Sequence, residues 1–388
     1  MPDDLPWTAS VADYEGEADV FLAALKSGSD EARWRFKWEH PRFRDKRVTA
    51  VDPATLDLAD ARLVTAHRYA FETWEDLIAF ARAVERDDVA VTRFEGAVEA
   101  VVDGDLAALR SMLRDDPGLV RARSSRRHHA TLLHYIGANG VEGARQRTPP
   151  NAVEVAKMVL EAGAEVDALA DMYHSKCTTM SMLVSSGHPE RAGLQAALAE
   201  TLLDHGAAFE GPGSNWQSAL LTALAFGYPA TAETLAKRGA PVKGLAEAAG
   251  LGRIADAARL LPATDSRTRH IALSLAAQLG HTEIVRLLLD AKEDPNRYNL
   301  EGYHAHSTPL HQAVWADHLD VVRLLVDRGA RLDIRDTIYD GTALDWAVYG
   351  QRTRVADYLR GRGAPGRTLE CTTTRRPPTR VPPRPGNR

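Results

Sequence analysis

Two stretches of the chain carry the same alternation of apolar and polar positions. "TPLHQAVWADHLDVVRLLVDRGARLDIRD" begins at Thr308, and "HIALSLAAQLGHTEIVRLLLDAKEDPNR" begins at His270. Each has a short segment with apolar residues at helical spacing, a polar turn, and a second apolar-faced segment ending in R-L-L. A cap and a short polar extension follow. The pattern predicts pairs of short helices. Thr308 suits a helix N-cap because its hydroxyl accepts from a free backbone N–H, and Pro309 suits the first helical turn. Leu324 and Leu325 bury the second helix, and Gly329 can end it in the left-handed conformation. One such pair cannot bury its apolar face alone, so the pairs must stack.

These residues resemble the ankyrin repeat, whose signature reads T-P-L-H-x-A, then G-H, then L-L-L-x-x-G-A-D. The resemblance implies an all-α ankyrin-repeat solenoid with hairpin-like fingers between units. Counting nine residues back from the inter-helix glycines Gly104, Gly140, Gly187, Gly227, Gly252 and Gly280 places repeat openings at Glu95, Thr131, Thr178, Ser218, Lys243 and Ile271. Asp317 and Gln351 replace the glycine in two further repeats, which open at Thr308 and Thr342. The sixth position of each repeat should be small and buried. It reads Ala100, Ile136, Leu183, Ala223, Ala248, Ala276, Ala313 and Ala347, and the recurrent alanine supports the register. Gly163, Gly206, Gly239 and Gly363 match Gly329, whereas Lys292 must take the strained conformation or be capped differently.

About eight repeats are therefore expected over residues 91–366. Residues 1–90 do not fit the repeat. They read as a helical module, with Trp34 and Trp38 on one core-facing side and Thr73 and Asp76 opening a later helix. This part resembles the small helical module that precedes ankyrin units in some bacterial proteins. Residues 367–388 are basic and Pro-rich, which predicts a disordered tail of polyproline character. Insertions at "VEGARQRTPPN" (141–151) and "HPERAGLQAAL" (188–198), and a long finger "RYNLEGYHAHS" (297–307), depart from the pattern. Such segments are where specificity is expected.

Composition narrows the function classes. A net charge of -5 argues against a globally basic nucleic-acid binder. The basic stretch Arg33–Arg47 leaves nucleic-acid binding as an alternative, disfavoured by the acidic helix "WEDLIAFARAVE" beside it. The acidic N-terminus lacks the apolar segment of a signal peptide, and no apolar run is long enough to span a membrane. With cysteines only at 177 and 371, a reducing cytoplasm is the expected location.

His304, His306 and His311 lie close together in sequence and suggest zinc, but the ligand set is incomplete. His311 and His134 both hold the fourth position of a repeat, where a histidine serves the helix start. Cys177, with His174 and His188, suggests a nucleophile, but no ordered base accompanies it. No enzymatic activity, metal or cofactor is expected. The resemblance instead points to finger tips and the ends of first helices as the partner surface. There the chain places Asn139, Ser186, Phe226, Leu251, Gln278, Trp315 and Tyr349. The expected partner-binding residues are Phe226, Tyr298, Tyr303, His304, Trp315, Tyr339 and Tyr349. The expected ligand is an unidentified protein, bound by a monomer.

Overall fold

A computed structural model describes residues 4–44, 46–173, 175–211 and 218–366 of the 388-residue chain. The tail expected to be disordered, and His174, lie outside the described residues. The described residues fall into two compact units, an N-terminal one over residues 4–211 and a C-terminal one over residues 218–366.

The N-terminal unit opens with α1 (Val11–Lys26), α2 (Asp30–Glu39), α3 (Leu58–Arg68) and α4 (Trp74–Glu85). Thr73 accepts from Asp76 N–H while the Asp76 carboxylate accepts from Thr73 N–H, so the expected capping box forms. The two tryptophans correct the reading of α2. Ala32 and Phe36 face the core, while Trp34 and Trp38 are half-buried and stack on each other, 6.3 Å apart. Helical periodicity defines two possible faces here, and Phe36 packs with Phe21 and Leu25 on the other one.

Helix pairs follow. They are α5 (Val89–Asp103) with α6 (Leu106–Asp115), then α7 (Leu132–Ile136) with α8 (Ala152–Glu161). A hairpin of β1 (Ala170–Met172) and β2 (Ser175–Cys177) leads to α9 (Thr179–Leu183), α10 (Gly187–Arg191) and α11 (Gln195–Asp204). Gly187 was counted as a turn residue, but it begins α10, because Ser186 caps that extra helix.

The C-terminal unit contains α12 (Ala219–Ala225) and α13 (Pro229–Lys237), α14 (Leu245–Gly250) and α15 (Ile254–Leu260), and α16 (Ser266–Leu279) and α17 (Thr282–Asp290). It ends with α18 (Pro309–Trp315) and α19 (Leu319–Asp327), then α20 (Ala343–Tyr349) and α21 (Thr353–Gly361). One continuous apolar core runs from Leu245 to Leu359.

All eight sixth-position residues are buried. Ser218, Thr308 and Thr342 begin helices as expected. Two openings that lacked Ser or Thr lie inside longer helices instead: α5 is capped by Asp88, seven residues before Glu95, and α16 by Asp265, six residues before Ile271. Lys292, Asp317 and Gln351 all adopt positive φ (68°, 63° and 57°), so the chain accepts the left-handed turn even without glycine.

Candidate functional site

The signature histidine fixes the frame of the repeat that carries it. Nδ1 of His311 accepts from Thr308, whose hydroxyl lies 2.9 Å away, and Nε2 lies 3.3 Å from the Gly341 carbonyl. The Thr308 N–H also points at Nδ1, so the ring proton sits on Nε2 and is donated to Gly341. The imidazole thus joins its own helix start to the extension of the next repeat. Burial pushes its pKa down to about 4. His134 makes the same pair of contacts, with Thr131 at 2.9 Å and the Cys177 carbonyl at 3.2 Å, and burial also lowers it to about 4. Both nitrogens of each ring are occupied, which leaves neither lone pair for a metal. No cluster of metal-ligating side chains occurs among the described residues.

His304 is placed by the finger between α17 and α18. It adopts φ 62°, and its Nε2 lies 2.8 Å from the Ala225 carbonyl at the end of α12. The finger therefore folds back over the ends of the first helices. This brings aromatic rings into a strip. Tyr228 stacks on Phe226, and Phe226 meets His304 edge-on at 6.4 Å. His304 meets His306 at 6.0 Å, and His306 meets Trp346 at 5.8 Å and Tyr339 at 6.4 Å. Trp346 abuts His311 and Trp315, and Trp315 stacks on Tyr349 at 6.2 Å with the planes 8° apart.

The strip is held from beneath. Asp336 is buried and its carboxylate accepts from the N–H groups of Ile338, Tyr339 and Gly341 and from Trp346 Nε1 at 2.9 Å. Arg352 donates from Nε to the Trp315 carbonyl at 3.0 Å and lies over the Trp315 ring. Burial lowers the pKa of His306, with Asp336 opposing, so this ring is neutral at pH 7. Trp315 and Tyr349 are 45% and 49% exposed, which is unusual for side chains of their size.

Of the expected site residues, Phe226, His304, Trp315, Tyr339 and Tyr349 come together. Tyr303 does not face solvent: it is 5% exposed, because the finger turns at Leu300–Tyr303 and sends the ring inward. That reading is corrected. Tyr298 is 40% exposed but lies apart from these ring contacts, its hydroxyl donating to the Arg335 carbonyl at 2.6 Å. His306 and Trp346 were not expected in the strip. Trp346 follows the fourth position of its repeat by one residue, and that offset was the available signal.

The N-terminal unit places other chemistry at the matching positions. Asn139 donates to Ser185 and accepts from Tyr173 at 2.6 Å, and Ser186 donates to the Ala138 carbonyl. The insertion at 141–151 was expected to carry specificity, yet Glu142 and Arg145 are buried. Glu142 pairs with Arg126 at 2.7 Å and accepts from Tyr135, and Arg145 pairs with Glu95 and Glu99. Burial pushes the Glu142 carboxyl up, but Arg126 and His128 outweigh this and hold it well below the usual carboxylate range. A cavity of about 480 Å³ adjoins this network, lined by Trp7, Tyr69 and four arginines. Each arginine already faces carboxylates: Arg68 meets Glu17, Arg126 meets Glu95, Arg145 meets Glu99 and Arg147 meets Asp103. Cys177 is fully buried, with its thiol directed at the Met172 carbonyl, so it does not present a nucleophile to solvent.

Comparison with known proteins identifies ankyrin repeats in part of the chain. Residues 245–336 match the family model for ankyrin repeats, in three copies. The chain is 35% identical over 103 residues to mouse ankyrin repeat and SAM domain-containing protein 6, covering 26% of this chain and 11% of that protein. It is 40% identical over 62 residues to an ankyrin repeat-containing protein of Schizosaccharomyces pombe, covering 16% of this chain and 28% of that one. It is 34% identical over 91 residues to the NF-kappa-B inhibitor cactus of Drosophila melanogaster, covering 23% and 18%. A crystal structure of the human ASB11 ankyrin repeat domain aligns at 21% identity with a TM-score of 0.36, covering 69% of this chain and 98% of that one. The chain thus spans about a tenth of the mouse relative's length. These relatives are eukaryotic and lend no support to the expected bacterial type. The fold is an all-α ankyrin-repeat solenoid.

Proposed function

We propose that the C-terminal unit binds a protein partner along the aromatic strip, without catalysing a reaction. The single observation that carries this is the Trp315–Tyr349 stack. Two large rings stand nearly half exposed, their planes parallel, with Arg352 fixing Trp315 from its own carbonyl. Exposed aromatics held rigid in advance are the usual energetic centre of an interface, because little side-chain freedom is lost on binding. Ankyrin repeats generally serve as protein-interaction modules, and the Drosophila relative is named as an inhibitor of another protein. The chain has only two cysteines, and Cys177 is free and buried, which fits a reducing cytoplasm. Among the described residues no helix is long and apolar enough to cross a membrane.

Quantitative affinity capture with the full chain and with Trp315→Ala tests the proposal. Partners bound through the strip fall about tenfold or more in Trp315→Ala. An unchanged set of captured proteins would remove the strip from the interface.

A further inference from the structure

The chain carries a ligand of suitable chemistry for the strip. Residues 375–385 read "RRPPTRVPPRP", and residues 367–388 hold six arginines and one glutamate. Proline-rich segments bind grooves lined by flat aromatic rings, since their rings pack there and the extended helix has little entropy to lose. We infer that this segment of the chain's own tail docks on the aromatic strip in cis and so competes with the partner. This rests on the reading of the strip as a docking surface.

The exit point of the tail supports it. The Pro365 carbonyl accepts from the Thr342 hydroxyl at 2.9 Å, and Thr342 is the N-cap of α20. A Cβ built on Gly366 would touch the Leu344 side chain and come within 3.9 Å of Asp345 Oδ1. The chain therefore leaves the described part beside the first turn of the helix that carries Trp346 and Tyr349. That helix is seven residues, about 10 Å, long.

Length is sufficient. Eight residues separate Gly366 from Arg375, and a polyproline helix rises about 3.1 Å per residue. The eleven residues 375–385 extend about 34 Å in that form, enough to follow five ring-to-ring steps of 5.8–6.4 Å from Tyr349 to Phe226. Charge agrees as well. Asp317 follows Trp315 on an exposed turn, Asp340 follows Tyr339, and Asp345 lies beside the exit, while Arg335 and Arg352 are the neighbouring cations. An arginine-rich ligand meets carboxylates here and can stack its guanidinium groups on the exposed rings.

The test uses a labelled synthetic peptide of residues 372–388 and two full-length chains. One is wild type, and the other carries Pro377→Gly, Pro378→Gly, Pro382→Gly and Pro383→Gly in the tail. A tethered segment has an effective concentration near the millimolar range, so the wild-type tail should weaken peptide binding about tenfold or more relative to the tail variant. Adding Trp315→Ala to the tail variant should then abolish peptide binding. Tyr349→Ser, at a 49% exposed position, gives the same readout if Trp315→Ala fails to fold. Equal peptide binding by wild type and tail variant overturns the inference. So does no binding by the tail variant, or binding indifferent to Trp315 and Tyr349. A tail-dependent dimer on gel filtration overturns the cis arrangement in favour of a second copy as occupant. If the peptide fails but partner capture still depends on Trp315, only this inference falls. If neither depends on Trp315, the proposed docking surface falls with it.

Discussion

His134 and His311 make the same two hydrogen bonds in the two units, yet their surroundings have little else in common. Near His134, Tyr135 and His128 turn toward Glu142, which is buried with Arg126 and Arg145. Beside His311, at 5.1 Å, stands Trp346, the hub of a strip that reaches solvent at Trp315 and Tyr349. The groove positions differ in the same sense. Asn139 and Ser186 are tied into hydrogen bonds, while Phe226, Trp315 and Tyr349 present rings. The repeat frame is one solution used twice, and the added segments decide what is built on it. Insertion length is a poor guide to which segment builds an exposed surface. The insertion at 141–151 places Glu142 and Arg145 in a buried charge network, and the equally long finger at 297–307 organises the exposed strip.

The largest expected effect lies in the charge network. Glu142→Ala leaves Arg126 buried without one of its two carboxylates and should cost about 3–5 kcal/mol. Hydrogen exchange should show the loss of protection in the N-terminal unit, with α18 and α20 unchanged. A cost below about 1 kcal/mol would mean that the network does not hold that unit together.

Acid should affect the two units alike, and through histidine. Both folded pKa values, about 4, lie below the ordinary value for histidine, so the unfolded chain binds protons first as pH falls. Their stabilising contribution is complete above about pH 6.5 and is withdrawn between there and 4, at up to about 3 kcal/mol each. The Glu142 carboxylate is held below the usual range and remains charged throughout that window, so the network itself is not lost there. Denaturant midpoints measured from pH 7 to 4.5 check this. A flat profile would contradict buried neutral histidines.

His134→Ala and His311→Ala should each cost about 1–2 kcal/mol, from two lost hydrogen bonds. Only His311→Ala should change the near-ultraviolet dichroism of the tryptophans, because only that ring packs on Trp346. Equal spectra would blur the contrast drawn between the units. Trp315→Ala should have the smallest effect on folding, under about 1 kcal/mol, since the ring is nearly half exposed. A larger loss would mark it as a packing residue.

Much of the frame was legible in advance. Thr308 with Pro309, and Thr342 with Asp345, announce helix starts through the hydrogen bonds available to them, and the recurrent sixth-position alanine announces close helix packing. Ring membership was less legible. Tyr303 and His304 are adjacent, yet a turn sends the first into the core and the second, at φ 62°, onto Phe226. Trp34 and Trp38 share a helical face, but periodicity does not say which face the neighbouring helices take, and Phe36 won that place.

The amino-acid sequence by itself determined the helix pairs, their caps and their stacking register, because those depend on spacing within about thirty residues, the length of one repeat. Only the tertiary structure decided which segments were buried and which stood open. The Glu142–Arg126 pairing and the Asp336–Trp346 support depend on where a loop closes over its neighbours. Closure is set by packing between repeats, and within one turn it sends Tyr303 into the core and its neighbour His304 onto Phe226.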